Sequence, residues 1–377
     1  MQRRSFLRNL AACAAASAGA PVVAEDTKRI ILGQSAALTG PAAQLGIQFQ
    51  RGAKLFFDRA NARGGVNGRT IELVSVDDGY EPDRCKANTE KLIKDDVYAL
   101  FGYIGTPTAL AALPLANTAK VPFLAPFTGA QALRDPFSRY AFHVRASYWD
   151  ETARIVNQLV TVGMKKIAVF YQNDSYGQAG LTGVTRALDK LNAKPIATGT
   201  VERNTVDVAA AVKTIVSAQP EAIVQISAYR SCAAFIREAR KAGFGGQFCN
   251  VSFVGTAALA NELGRDARGV VVSQVMPYPF AAVTALSGEF LQAAAASTSY
   301  VVDPNYSSIE GYVAARVFAE GLKRAGANPS RESLVTGLES MQDVNLGGFF
   351  VDFSPKKHAG STFVDMTILT QDGKVRR

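Results

Sequence analysis

Apolar positions in the first hundred residues switch between two periods. Residues 30–36 (IILGQSA) form a short unbroken apolar run, the pattern of a strand buried on both faces. Beyond the loop Leu38-Thr39-Gly40-Pro41, residues Leu45, Phe49, Ala53, Phe56 and Ala60 recur three or four apart, which is one face of a helix. The turn cluster 61–69 leads into a strand over 70–76 and then the acidic loop Asp77-Asp78-Gly79-Tyr80-Glu81-Pro82. A helix from Asp83 to Asp95 and a strand from Val97 to Tyr103 follow. Strands and helices joined by short connections in this order predict a parallel sheet wound on both faces.

Residues 101–130 carry the first candidate chemistry. Thr106 is placed to cap a helix, and Pro107 suits its first turn because its missing N–H would be unpaired there anyway. VPFLAP, from Val121, reads as a short buried strand, followed by the loop Phe127-Thr128-Gly129-Ala130. If the two strands are parallel neighbours, both following loops lie at the carboxyl edge of the sheet, where open α/β sheets bind ligands. Free amides at a helix start, with the Thr106 and Thr108 hydroxyls beside them, suit a small carboxylate. The plainer alternative is that Thr106 only caps its helix.

A second run of the same kind begins near Trp149: a helix from Asp150 to Gly163, the strand KKIAVFY, and the loop Asn173-Asp174-Ser175-Tyr176-Gly177 at its carboxyl end. Strands near 195–201, 222–227 and 247–252 alternate with helices over 207–218 and from Tyr229 to Ala242. A strand over 269–275 leads to helices near 284–297, 306–326 and 331–340. These helices have no strands of their own, so the chain is expected to return to the first sheet near residue 277 and to leave it again near 355. Gly347–Phe353 and Ser361–Thr370 read as two closing strands.

Composition narrows the class. The 377 residues, 48% hydrophobic and 19% charged, suffice for two cores, and no later run approaches the roughly 18 apolar residues of a membrane span. Of the formal charge of +9, three units (Arg3, Arg4 and Arg8) lie before residue 25, and the other cations are scattered, so no nucleic-acid partner is indicated. Gln2-Arg3-Arg4-Ser5-Phe6-Leu7-Arg8 resembles a twin-arginine export motif; with the Ala-rich run after it, residues 1–24 read as a signal peptide cleaved after Ala24. Leu10-Ala11-Ala12-Cys13 also looks like a lipobox, which would make Cys13 a lipid anchor. Past the leader, Cys85, Cys232 and Cys249 remain. Cys232 and Cys249 either pair in an oxidising compartment or sit as small buried residues, the reading preferred here. With only His143 and His358 in the chain, no metal site, cofactor or catalytic residue is indicated.

Taken together, Thr39-Gly40-Pro41, Asn61-Ala62-x-Gly64-Gly65-Val66-Asn67-Gly68-Arg69, Asp77-Asp78 with Pro82, Val121-Pro122 with Pro126, Tyr176-Gly177 and Ala239-Arg240-Lys241-Ala242-Gly243 resemble the leucine/isoleucine/valine-binding family of type I periplasmic substrate-binding proteins. The resemblance implies an α/β fold of two doubly wound parallel-sheet lobes joined by a three-segment hinge. The expected division is 25–146 plus 277–354 for lobe 1 and 147–276 plus 355–377 for lobe 2. It also implies a periplasmic receptor, expected as a monomer, that hands a small-molecule ligand to an ABC permease in the inner membrane.

By the same resemblance the loops at Thr106 to Thr108 and Phe127 to Gly129 hold the ligand's carboxylate and amine, while Tyr176 and Tyr229 close over it. Two positions depart from the family. Ser252 stands where an acid grips the ammonium, and Leu45 replaces a pocket-wall tryptophan. Either another acid substitutes, with Asp174 and Asp150 nearest by loop position, or the ligand lacks an amine, since a buried ammonium without counter-charge is costly. The expected ligand is a small carboxylate, a branched-chain or other hydrophobic amino acid or an aromatic or organic acid, with Tyr103, Phe127, Tyr176 and Tyr229 as stacking surfaces.

Two other functions are compatible with parts of this pattern. An exported sensor domain presenting ligand to a membrane receptor shares this fold. An exported hydrolase is disfavoured because no nucleophile elbow, P-loop or Gly-rich dinucleotide loop occurs. Asp77-Asp78 is superficially similar to a receiver-domain acidic pocket, but reads better as a solvated turn capping the next helix.

Overall fold

A computed structural model describes residues 28–377. The twin-arginine motif, the cleavage site after Ala24 and Cys13 lie outside the described residues. The first lobe is built from β1 (Arg29–Ala36), α1 (Ala43–Ala62), β2 (Thr70–Asp77), α2 (Pro82–Lys94), β3 (Ala99–Phe101), α3 (Thr106–Ala119), β4 (Phe123–Leu124) and β5 (Ala141–Phe142). The chain then forms α4 (Tyr148–Thr161), β6 (Ile167–Gln172), α5 (Ser175–Asp189), β7 (Thr198–Val201), α6 (Ala209–Ser217), β8 (Ala222–Ile226), α7 (Tyr229–Lys241), β9 (Gln247–Asn250), α8 (Thr256–Leu263) and β10 (Val271–Gln274). It returns for α9 (Ala285–Ala296), α10 (Tyr306–Arg324), α11 (Arg331–Glu339), β11 (Val344–Asn345) and β12 (Phe350–Val351), and ends in β13 (Asp365–Leu369) and β14 (Val375–Arg376).

The first sheet is wholly parallel in the order β2-β1-β3-β4-β5, and the second runs β14-β13-β10-β9-β8-β6-β7 with β13 and β14 antiparallel. Both orders reverse direction once, between β1 and β3 and between β6 and β8. At such a switch point the following loops diverge and leave a crevice at the carboxyl edge.

Register shows how helices cover the first sheet. Gly33 pairs with Leu100 and faces Leu92 of α2, so the next residue, Phe101, points to the other face. There it meets Phe49 and Phe57 of α1 and Phe318 of α10. Helices α1 and α10 touch backbone to backbone, because a Cβ on Gly52 would collide with the Ser308 carbonyl and one on Gly311 with the Phe49 carbonyl.

Three segments cross between the lobes, after β5, after β10 and after β12. The first and third are zipped together: the His143 amide donates to His358 O at 2.8 Å and the Gly360 amide to His143 O at 2.8 Å. The Phe142 ring stacks on His358 at 3.8 Å.

The structure departs from the sequence pattern at several points. The strand from Val97 to Tyr103 is cut to Ala99–Phe101, because Gly102 turns the backbone with φ +65. The two closing strands are shorter than expected, and α8, β5, β11 and β14 were not anticipated. Asp78 is not in a solvated turn: it is fully buried, accepting from Ser35 Oγ at 2.7 Å and the Tyr80 amide at 2.8 Å. Its neighbour Asp77 accepts from the amides of Leu38 and Thr39, and neither aspartate caps α2, whose N-cap is Glu81. Cys85, Cys232 and Cys249 are all free and buried. No helix among the described residues is long and apolar enough to cross a membrane.

Candidate functional site

On the first lobe, the loops after β3 and β4 meet at the crevice. Helix α3 starts at Thr106, but its cap is Gly105 with φ +98, where a Cβ would strike the ring of Tyr80. The expected side-chain cap from Thr106 is absent because that hydroxyl is engaged elsewhere: its Oγ1 lies 2.6 Å from Thr128 Oγ1. The Thr128 hydroxyl in turn donates to the Tyr148 hydroxyl at 3.3 Å. Thr108 turns back on its own helix, donating to the carbonyls of Ile104 and Gly105. Tyr80, held at φ +66 by the Asp78 bond to its amide, covers this loop.

On the second lobe, Asp174 caps α5 through the amides of Tyr176 and Gly177. That cap orients Tyr176, whose ring lies 4.6 Å from Phe253 and 5.3 Å from Tyr148. Phe253 also approaches Tyr80 at 5.9 Å and Phe127 at 5.7 Å, so five aromatic rings from both lobes form one cluster at the crevice. Leu45, at the start of α1, lies against Gly255, and burial raises the Tyr229 hydroxyl's pKa while the Gln44 amide beside it lowers it.

Ser252 is not without an acid. Its amide donates to Glu151 Oε2 at 2.7 Å and its hydroxyl to Oε1 at 3.0 Å, while Ser273 Oγ donates to Oε2 at 2.5 Å. The acid that meets Ser252 is therefore Glu151, whereas Asp150 and Asp174 make other contacts. Asp150 is used in the capping box with Ser147, and Asp174 in the α5 cap and a contact with Gln172 at 2.6 Å. Burial raises the Glu151 pKa, against the pull of Arg145 and the serine donors.

Arg145, 1% exposed, makes a two-pronged pair with Glu310 of α10 (Nε to Oε1 2.7 Å, Nη2 to Oε2 2.8 Å) and lies 4.2 Å above the Phe127 ring. Desolvation opposes its charge, but the Glu310 carboxylate outweighs that and holds Arg145 above its ordinary pKa. Its Nη1 has no partner, and neither do Gln274 Oε1, Tyr176 OH and Tyr306 OH. Arg145, Gln274, Tyr306, Phe127 and Ser252 line a crevice that is too narrow for a water molecule. At the rim, Arg203 Nη2 meets Glu81 Oε2 at 2.9 Å, Asn204 Nδ2 donates to Glu81 Oε1 at 2.8 Å, and Gln172 Nε2 donates to Tyr80 OH at 3.2 Å.

Of the residues singled out by sequence, Leu45, Thr106, Phe127, Thr128, Gly129, Tyr176, Tyr229 and Ser252 come to the interlobe face. Gly129 has no room for a Cβ beside Tyr148. Tyr103 does not join them: its hydroxyl takes a bond from Thr89 of α2 at 3.1 Å and its ring packs on Phe123 inside the first lobe. Sequence reasoning missed Arg145, Tyr148, Glu151, Phe253, Gln274, Tyr306 and Glu310. The one local signal was Arg145-Ala146-Ser147-Tyr148, a cation in an apolar stretch just before a capping serine. Among the described residues no group of three His, Cys, Asp or Glu side chains is placed to hold a metal.

The family described as periplasmic binding protein matches the chain over residues 29–374. The Leu/Ile/Val-binding protein of Citrobacter freundii is 24% identical over 270 residues, covering 71% of this chain and 73% of its own. Two solved structures superpose closely. A possible leucine/isoleucine/valine-binding protein from Rhodopirellula baltica has a TM-score of 0.89 at 34% identity, over 93% of this chain and 96% of that one. A substrate-binding periplasmic protein from Ralstonia solanacearum has a TM-score of 0.87 at 33% identity, over 92% and 99%. With its two switch-point crevices facing each other across three crossings, the chain belongs to the type I periplasmic binding proteins, in the leucine/isoleucine/valine-binding family.

Proposed function

We propose that the protein is the periplasmic receptor of an ABC importer and that its solute is a small, largely apolar carboxylate without an ammonium group. In this reading lobe 1 comprises 25–146 with 277–354 and lobe 2 comprises 147–276 with 355–377, and ligand binds as they close. The observation that carries the ligand class is the state of the charged atoms at the crevice. The carboxylates of Glu151, Glu310 and Asp174 are met by protein donors, whereas Nη1 of the Arg145 guanidinium, with its two N–H groups, has no partner. An unpaired buried donor on a cation favours an anionic acceptor. An ammonium would find only neutral acceptors such as Gln274 Oε1, at a desolvation cost. The rings of Phe127, Tyr148, Tyr176 and Phe253 supply apolar faces for the rest of the solute. With no room for water in the crevice, solute enters only when the lobes swing apart.

Isothermal titration with aromatic and branched aliphatic acids, run beside leucine, isoleucine and valine, tests this. Micromolar or tighter binding by an amine-free acid is the expected result. Binding of leucine with no response to any amine-free acid overturns the ligand class, and turnover of a bound solute overturns the receptor reading.

A further inference from the structure

Away from the crevice, a cavity of about 510 Å³ opens beside the hinge. Its wall joins both lobes: Arg134 comes from the segment before β5, Lys356 from the third crossing, and Trp149, Arg186 and Lys190 from α4 and α5. None of these four cations lies within ion-pair distance of an acid among the described residues. Arg186 rests instead on the Trp149 ring at 4.0 Å. Two acids line the wall. Asp150 is consumed by Ser147, accepting from its amide at 2.9 Å and its hydroxyl at 2.6 Å, and Asp135 is exposed.

Three polar atoms of the lining lack hydrogen-bond partners; one of them, His358 Nε2, lies 3.4 Å from Glu339 Oε1, and the other two face no acid. Arg134 donates through Nη1 to Ala130 O and through Nη2 to Arg145 O, but its buried Nε meets nothing. His143, 2% exposed, places Nε2 at 3.0 Å from the Leu133 carbonyl, which only an N–H donor satisfies; Nδ1 is therefore a bare lone pair, and it has no partner. Burial and the Arg134 charge hold this imidazole neutral, with its pKa well below the ordinary value.

From these we propose that the hinge cavity is a second ligand site, taking a small, multiply charged anion that also carries a hydroxyl, of the hydrogen-phosphate or hydroxy-polycarboxylate class. Unpaired cations on three segments match the charge, His143 Nδ1 matches the hydroxyl, and the volume lies within the usual range for small-molecule sites. Because the wall is shared between lobes, the bound anion bridges them at the hinge, and its affinity depends on their angle.

Titration calorimetry of the solute-free protein with inorganic pyrophosphate and with citrate, at constant ionic strength, tests this directly. Saturable one-to-one binding of either probe is expected, weakened at least tenfold in Arg186→Ala/Lys190→Ala. Both side chains are exposed and the double variant keeps the fold, which circular dichroism checks. Lys86→Ala/Lys213→Ala removes the same charge elsewhere on the surface and should leave binding intact. No saturable binding by either probe, or equal weakening in both double variants, overturns the proposal.

Discussion

At the scale of single residues, the crevice is defined by atoms with partners and atoms without. The Tyr176 hydroxyl is buried and unpartnered, so Tyr176→Phe removes nothing the protein itself uses. Its unfolding midpoint in urea should match or exceed the native one, while solute affinity measured by calorimetry falls by about 0.5–1.5 kcal/mol, the worth of one hydrogen bond. Asp78 shows the opposite economy. Burial pushes its carboxyl up from 3.8 to about 6, although Ser35 and the Tyr80 amide donate to it. Between those values the folded chain holds a proton that the unfolded chain has lost. The contribution is thus greatest below pH 4 and falls as pH rises through 6. Over that window it amounts to about 3 kcal/mol at 1.36 kcal/mol per unit. Urea unfolding of the native protein and Asp78→Asn from pH 4 to 7 should show the native stability dropping relative to the variant; parallel curves would rule this out.

At the scale of elements, the α1–α10 contact fixes the first lobe, and two glycines permit it. A methyl group at Gly52 or Gly311 would overlap a backbone carbonyl of the facing helix, which cannot move aside as a flexible side chain does. Gly52→Ala and Gly311→Ala should each destabilise by about 1–3 kcal/mol or more. Gly288 in α9 is the contrast, since the nearest atom to its added Cβ is Ala282 Cβ at 3.5 Å. Gly288→Ala should stabilise by about 0.4–1 kcal/mol through the unfolded chain's lost freedom. Equilibrium denaturation of all three variants separates the two effects by sign.

At the scale of the whole molecule, the rim contacts hold the lobes together independently of the crevice. Arg203 and Asn204 reach across to Glu81, and Asn204 also to Gly79 O at 3.2 Å. Arg203→Ala/Asn204→Ala should weaken solute binding by about tenfold, mostly through faster dissociation, because the closed form loses bonds that the open form never makes. Stopped-flow release from the variant checks this, and small-angle scattering should show a larger mean radius without solute. Much of the architecture was legible beforehand. The period of each apolar run is a local property, so it sets helix or strand with no knowledge of neighbours, and the alternation of the two implies parallel sheets. The tyrosine and threonine loops of the crevice were legible too, because strand-end loops must lie at the carboxyl edge. What local pattern cannot carry is pairing between distant residues. Glu151 meets Ser252 from 101 positions away, and Arg145 meets Glu310 from 165. Helix α4 must dock on β10, and α10 on the first sheet, before either pair exists. The sequence by itself therefore determined which segments become strands and helices and which loops converge, while the tertiary structure alone decided which polar atoms at the crevice find partners within the protein and which do not.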